Sequence, residues 1–117
     1  MAIKSGQIAL FRFPQTDLEP GKLRPALLIA RIPGPYADWL ICMISSQLQK
    51  KVDRIDEAID KSDRDFVASG LKTPSLIRCS RLAVVSENIF LGPVGEISRE
   101  RLIRIRTNIA AWISEAE

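Results

Sequence analysis

The sequence predicts a mainly β domain: a small antiparallel β-barrel or strongly bent sheet, with a short helix and a closing C-terminal helix. Three observations carry this expectation. Aliphatic and aromatic runs of strand length alternate with turns rich in Pro, Gly and Ser from Gln7 to Val94. The apolar spacing changes to that of a helix only after Ser98. No linker, repeat or shift in composition interrupts the chain, so residues 1–117 read as a single domain, long enough to bury a core without staples.

Gln7-Ile8-Ala9-Leu10-Phe11-Arg12-Phe13 is a first strand, stopped by Pro14. Gln15 to Gly21 follows as a polar turn rich in breaker residues. Ala26 to Ile32 is a second strand closed by Pro33-Gly34-Pro35, and Trp39 to Ile44 a third that ends at Ser45-Ser46-Gln47. The mixed spacing of Val52, Ile55 and Ile59 suits a strand or a helix, and a strand is the expectation adopted. Ser62 before Asp63-Arg64-Asp65 marks the start of a helical turn, with serine as cap, and Gly70 ends it. Leu76 to Val85 and Ile89 to Val94 complete the strands, parted by a turn around Glu87-Asn88. From Ser98, one stripe of a helix collects Leu102, Ile105, Ile109 and Trp112 or Ile113, leaving Arg101, Arg104 and Asn108 largely outside it.

Composition narrows the chemistry. Apolar residues make up 46% and charged residues 26%, which excludes a disordered or low-complexity chain. No run approaches the length of a membrane span and no leader-like segment opens the chain, so a cytoplasmic location is expected. Cys42 and Cys79 lie inside apolar runs and read as buried free thiols. There is no histidine, so any catalysis has to use other groups. Asp53, Asp56, Glu57, Asp60, Asp63 and Asp65 crowd one segment without a recognisable metal-loop spacing and read as a solvated face. The net charge of +3 is unevenly spread: residues 1–51 hold seven basic and three acidic side chains, a balance that weakly favours a polyanionic partner.

Arg24 stands out within that basic half. Pro25 biases the residue before it toward extended geometry, which holds Arg24 where a loop meets a strand. A guanidinium restrained there suits a phosphate. Taken alone, the plainer reading is an ion pair with Asp17 or Glu19 across the turn. Ser45 and Ser46, likewise, can serve backbone groups at a strand end, Gln47 can be an ordinary loop amide, and Arg78 and Arg81 a solvent row. Trp39 and Trp112 lie in apolar patterns and read as core or dimer anchors.

Order decides what single motifs leave open. Gly6-Gln7-Ile8, Phe13-Pro14-Gln15-Thr16-Asp17, Arg24-Pro25-Ala26, Ile44-Ser45-Ser46-Gln47, Gly70-Leu71-Lys72-Thr73-Pro74-Ser75 and the closing helix together resemble the PemK/MazF-like toxins of bacterial toxin–antitoxin pairs, over nearly the whole chain. The resemblance implies an SH3-like antiparallel barrel that forms a homodimer. It further implies cleavage of single-stranded RNA without metal or cofactor, through attack by the 2′-hydroxyl, to leave 2′,3′-cyclic phosphate and 5′-hydroxyl ends. A small cognate antitoxin would neutralise it. Carried onto matching positions, Arg24 and Ser45 become the catalytic pair, and Thr16, Asp17, Lys22, Ser46, Gln47 and Arg81 become RNA contacts. Two departures stand out: Gln7 replaces the usual acidic residue after the opening glycine, and Ser45 replaces a frequent threonine. The alternatives are a non-catalytic binding protein on the same barrel, like the related gyrase poisons, or a decayed toxin that retains only antitoxin binding. The gyrase poisons act through a tryptophan at the extreme C-terminus, whereas Trp112 is followed by five more residues.

Overall fold

Short β-rich runs separated by breakers fold into β1 (Gln7–Arg12), β2 (Leu23–Arg31), β3 (Asp38–Ser45), β4 (Glu57–Ile59), β5 (Ser75–Ser86) and β6 (Phe90–Glu96), with helices α1 (Phe66–Ser69) and α2 (Arg99–Glu115). The structure is a computed structural model that describes residues 3–12 and 23–117. Phe13 and the predicted turn at 15–21 lie outside the described residues. The strands pair in the order β4-β5-β3-β2-β1-β6, every pair antiparallel. Among the described residues β4 and β6 do not pair, so the predicted barrel takes its strongly bent, open form. Register shifts in the β1–β6, β2–β3 and β3–β5 ladders supply the bends.

Both faces of the sheet are apolar, which is why the strands read as nearly continuous hydrophobic runs. Ile8, Leu27, Ile29, Cys42, Ile44, Ile77 and Cys79 lie on the first face, covered by Leu102, Ile105 and Ile109 of α2 together with Ile55, Ile59 and Phe66. Ala9, Phe11, Ala26, Leu28, Trp39 and Ile41 form the second face with Phe90. Ser98 caps α2 by accepting the Arg101 amide at 3.1 Å. Arg106 donates from Nε and Nη2 to the Ile29 carbonyl, on the residue that the β2–β3 bulge leaves out of register.

Several expectations change. Residues 52–56 are a turn, and only Glu57–Ile59 is a strand. Asp56 is buried and accepts from the Val52 amide at 2.9 Å and from both the amide and hydroxyl of Ser80, while Arg54 takes a left-handed φ of 75°. A segment curled around its own carboxylate cannot extend. The expected serine cap is also absent: Ser62 donates its amide and hydroxyl to Asp60, and α1 starts four residues later at Phe66. The acidic segment is no solvated face, because Asp56 and Asp65 are buried and Glu57 and Asp65 pair with Arg101. Arg101 itself lies inside the packed stripe, 5% exposed. Trp112 and Ile113, by contrast, are 51% and 59% exposed, because α2 has by then run past the buried stripe that ends at Ile109. Trp39 is core as expected, with its indole Nε1 3.5 Å from Glu87.

Gly70 and Gly95 let α1 sit directly on β6. Gly70 ends α1 with φ 73°, and a Cβ there would strike the Val94 carbonyl; a Cβ on Gly95 would strike the Ala68 carbonyl and the Ser69 backbone. These obstacles are backbone and cannot turn aside. Gly95→Ala is expected to destabilise the fold by about 1–3 kcal/mol, measured as a lowered urea midpoint with an unchanged m-value. An unchanged midpoint would show that α1 and β6 can separate freely.

Candidate functional site

Among the described residues, the second face of the sheet runs out into exposed positions where β2 begins and β3 finishes. Arg24 is the second residue of β2, one step further into the strand than the loop junction expected, because β1 pairs with β2 as far as Leu23: Leu10 with Pro25, Phe11 with Arg24 and Arg12 with Leu23. On its other side β2 pairs with β3 only as far as Ala26↔Met43, one residue short of Pro25, which has no N–H to donate. The same register carried two residues further sets Arg24 opposite Ser45. Alternation puts both on one face, Arg24 in line with Ala26 and Leu28, Ser45 in line with Met43 and Ile41.

Arg24 is exposed, and its side chain makes no hydrogen bond or ion pair among the described residues. Ser45 is half-buried, and its Oγ accepts the Gln47 amide at 3.1 Å. That contact does serve a backbone group at the strand end, and it leaves the hydroxyl proton available to a second acceptor. Ser46 and Gln47 are exposed beside it, ahead of a 3-10 turn at Leu48–Lys50. Thr16, Asp17 and Lys22 lie outside the described residues, as do the suggested partners Asp17 and Glu19 of Arg24.

Arg78 and Arg81 are not one solvent row. The β3–β5 ladder jumps from Met43↔Arg78 to Cys42↔Leu82, so Cys79, Ser80 and Arg81 form a wide bulge that Asp56 holds through Ser80. Arg81 is exposed on this bulge. Arg78 stands opposite Met43 on the second face and is half-buried, and its Nε is the one buried side-chain polar atom among the described residues without a hydrogen-bond partner. A signal for Arg78 was present in the sequence: it is the single charge inside Leu76-Ile77-Arg78-Cys79.

The acids are occupied elsewhere. Glu57, Asp63 and Asp65 pair with Arg101 and Arg104, Glu96 with Lys4, and Glu87 with Arg31, so Arg24, Arg78 and Arg81 meet no carboxylate among the described residues. Cys42 and Cys79 are free and buried; the hydrogen bond with Cys79, reinforced by burial, pushes the Cys42 thiol well up and keeps it an unreactive part of the core. Gln7 accepts the Lys4 amide at 2.8 Å through its side-chain oxygen, as a carboxylate could, so the turn at Gly6 keeps its support without the charge.

Residues 4–113 match the sequence profile of the PemK-like, MazF-like toxins of type II toxin–antitoxin systems. The chain belongs to this family. Solved structures with the same fold include an endoribonuclease in complex with its cognate antitoxin from a mycobacterial species, 16% identical, covering 99% of each chain with a TM-score of 0.65. The Mycobacterium tuberculosis toxin MazF-mt6 is 14% identical, over 95% of this chain and 99% of that one, with a TM-score of 0.67. A mycobacterial endoribonuclease is 16% identical over 97% and 93%, with a TM-score of 0.64. No curated protein sequence gives a significant match. At these identities the likeness is one of fold. Among the described residues of this MazF-like toxin, no helix is long and apolar enough to cross a membrane.

Proposed function

We propose that this MazF-like toxin is a metal-independent endoribonuclease that cuts single-stranded RNA through the RNA's own 2′-hydroxyl. The observation that carries this reading is the β2–β3 ladder, which ends at Ala26↔Met43 and, carried two residues further, would set the unpaired Arg24 side chain opposite the Ser45 hydroxyl on one face. The 2′-oxygen loses its proton and forms a bond to phosphorus; the bond from phosphorus to the 5′-oxygen breaks, and that oxygen gains a proton on leaving. The products are a 2′,3′-cyclic phosphate and a 5′-hydroxyl. Charge builds on the non-bridging oxygens at the transition state, and the Arg24 fork and the Ser45 proton would meet it. The Arg24 guanidinium acts here by charge stabilisation and not by carrying a proton. Ser46, Gln47 and Arg81, exposed around this end, would contact flanking RNA, with Thr16, Asp17 and Lys22 contributing from the preceding segment.

An acidic cognate antitoxin laid over the basic end would neutralise the toxin, a reading supported by the antitoxin-bound endoribonuclease among its structural relatives. The active form would be a cytoplasmic homodimer. The test is to incubate the purified protein with a long RNA and the matching DNA in excess chelator. RNA is expected to be cut, DNA to survive, and a single 2′-deoxy substitution at the cut position to stop cleavage there. Intact RNA would overturn the nuclease reading, and cleavage of the DNA would overturn the 2′-hydroxyl mechanism.

A further inference from the structure

We propose that Cys42 and Cys79 form a redox-sensitive latch, closing into a disulfide between β3 and β5 when the protein meets a peroxide. Neither thiol belongs to the face that carries Arg24 and Ser45. Both are fully buried on the first face, in the cluster that α2 covers, so the inference does not depend on the ribonuclease reading.

Register brings the two cysteines together. Met43 pairs with Arg78, and one further step of that ladder would set Cys42 opposite Cys79. Cβ atoms of directly opposed residues in an antiparallel pair stand about 4.5–5.5 Å apart, against about 3.5–4.5 Å in a disulfide. The gap to close is therefore about 1 Å. The ladder resumes only at Cys42↔Leu82, so Cys79 begins the bulge and no regular pairing holds it back. The two side chains already share a hydrogen bond.

A cavity supplies the second observation. About 710 Å³ of space lies between the 52–56 turn, the bulge and the last turns of α2, walled by Val52, Ile55, Leu82 and Trp112, with Cys79 and Ser80 also in its lining. Cys42 is not among the residues that line it. A small oxidant thus comes first to Cys79, and because Cys79 has no exposed surface it arrives only as the side chains over it part. The response is slow for that reason. The Cys79 sulfur attacks one peroxide oxygen, the O–O bond breaks, and the thiol proton leaves with the departing oxygen as water, giving a sulfenic acid. Cys42, whose proton is held by its partner thiol and by burial, does not start the reaction. Its sulfur then attacks the sulfenic sulfur, the S–O bond breaks, and the Cys42 proton leaves with the hydroxyl as a second water. A dithiol reductant reverses the closure, as suits a thiol pair kept reduced until an oxidant appears.

The test holds the reduced protein in hydrogen peroxide under native conditions, then quenches it in acid, alkylates it in denaturant and digests it without reductant. A linked Cys42–Cys79 peptide, lighter by two hydrogens than its two halves, is expected, and dithiothreitol should split it. The closed form should melt about 10 °C higher than the reduced one, because the cross-link restrains residues 43–78 in the unfolded chain. Cys42→Ala should leave a sulfenic acid on Cys79 that dimedone captures, whereas Cys79→Ala should leave Cys42 an intact thiol. Both cysteines alkylated in the treated wild type, or disulfides formed only between chains, would overturn the inference. A linked form that melts no higher than the reduced protein would overturn the latch, and dimedone on Cys42 in Cys79→Ala would overturn the order of attack. The peptide map and the melt use the wild type alone, so they decide the inference even where an alanine variant does not fold.

Discussion

Arg24→Ala is expected to lower RNA cleavage by ~10²–10³-fold, the usual loss when one donor to a transition-state oxyanion is removed. The fold should be almost indifferent. Arg24 is exposed and unpaired among the described residues, and surface substitutions of this kind change stability by roughly 0.5 kcal/mol or less. A loss of activity with an unchanged thermal transition would therefore belong to the chemistry. Arg24→Lys should recover only a fraction, because an ammonium offers a point charge where the guanidinium offers a planar fork. The measurement is single-turnover cleavage at saturating enzyme, with circular dichroism melts of the same preparations. Cleavage by Arg24→Ala at the wild-type rate would overturn the proposed site.

The largest effect on stability should come from the opposite side of the sheet. Arg101 is 5% exposed and donates from Nε and Nη2 to the two oxygens of Asp65, at 2.8 and 3.1 Å, and from Nη1 to Glu57 at 2.8 Å. Arg104 donates twice more to Glu57, and the Ser98 amide donates to Asp65 at 3.0 Å. The network ties the start of α2 to β4 and to the turn before α1. Arg101→Ala leaves Asp65 buried without its counter-charge and is expected to cost about 3–5 kcal/mol. Against a total stability of about 5–15 kcal/mol, that loss brings the domain close to unfolding at ordinary temperature. A double variant that replaces Arg101 and Asp65 with leucine should recover much of it, because the uncompensated charge is then gone.

Acid supplies an independent check on the same pair. Burial pushes the Asp65 carboxyl up, but hydrogen bonds from Arg101 and from the Ser98 amide outweigh it and hold Asp65 below the ordinary aspartate value. The unfolded chain therefore takes up this proton first. The stabilisation is complete above the unfolded value of about 3.9 and is withdrawn as pH falls through the lower folded value. In Arg101→Ala, with burial no longer opposed by the guanidinium, the contribution of Asp65 should reverse sign, and acidification toward pH 4 should narrow the gap to the wild type. Urea titrations across pH 3–7 measure both slopes; parallel profiles would mean that Asp65 is not the group responsible.

The strands around the site and the C-terminal helix were legible in the sequence for local reasons, whereas the proposal of Arg24 and Ser45 rests on the order of motifs shared with the family. An apolar run bounded by proline or glycine has few folded forms, and a proline restrains its neighbour wherever the chain goes. Local reasoning failed where a distant partner overrides the pattern. Val52 to Ile59 reads as a strand until Asp56 binds Ser80, 24 residues away, and Arg101 reads as an outward-facing charge until Asp65, 36 residues away, meets it. Arg78 looked like a companion of Arg81 because the four-for-one bulge in β5 has no signature in residue spacing.

Family membership, the β-rich plan and the candidate chemistry of Arg24 and Ser45 are properties of residue order along the chain. Whether Arg24 and Ser45 share one face belongs to the register of β2 and β3, which the ladder ending at Ala26↔Met43 fixes. Register is a long-range quantity: shifting one strand by a single residue sends each of its side chains to the other face. It is settled only when both apolar faces of the sheet are buried together.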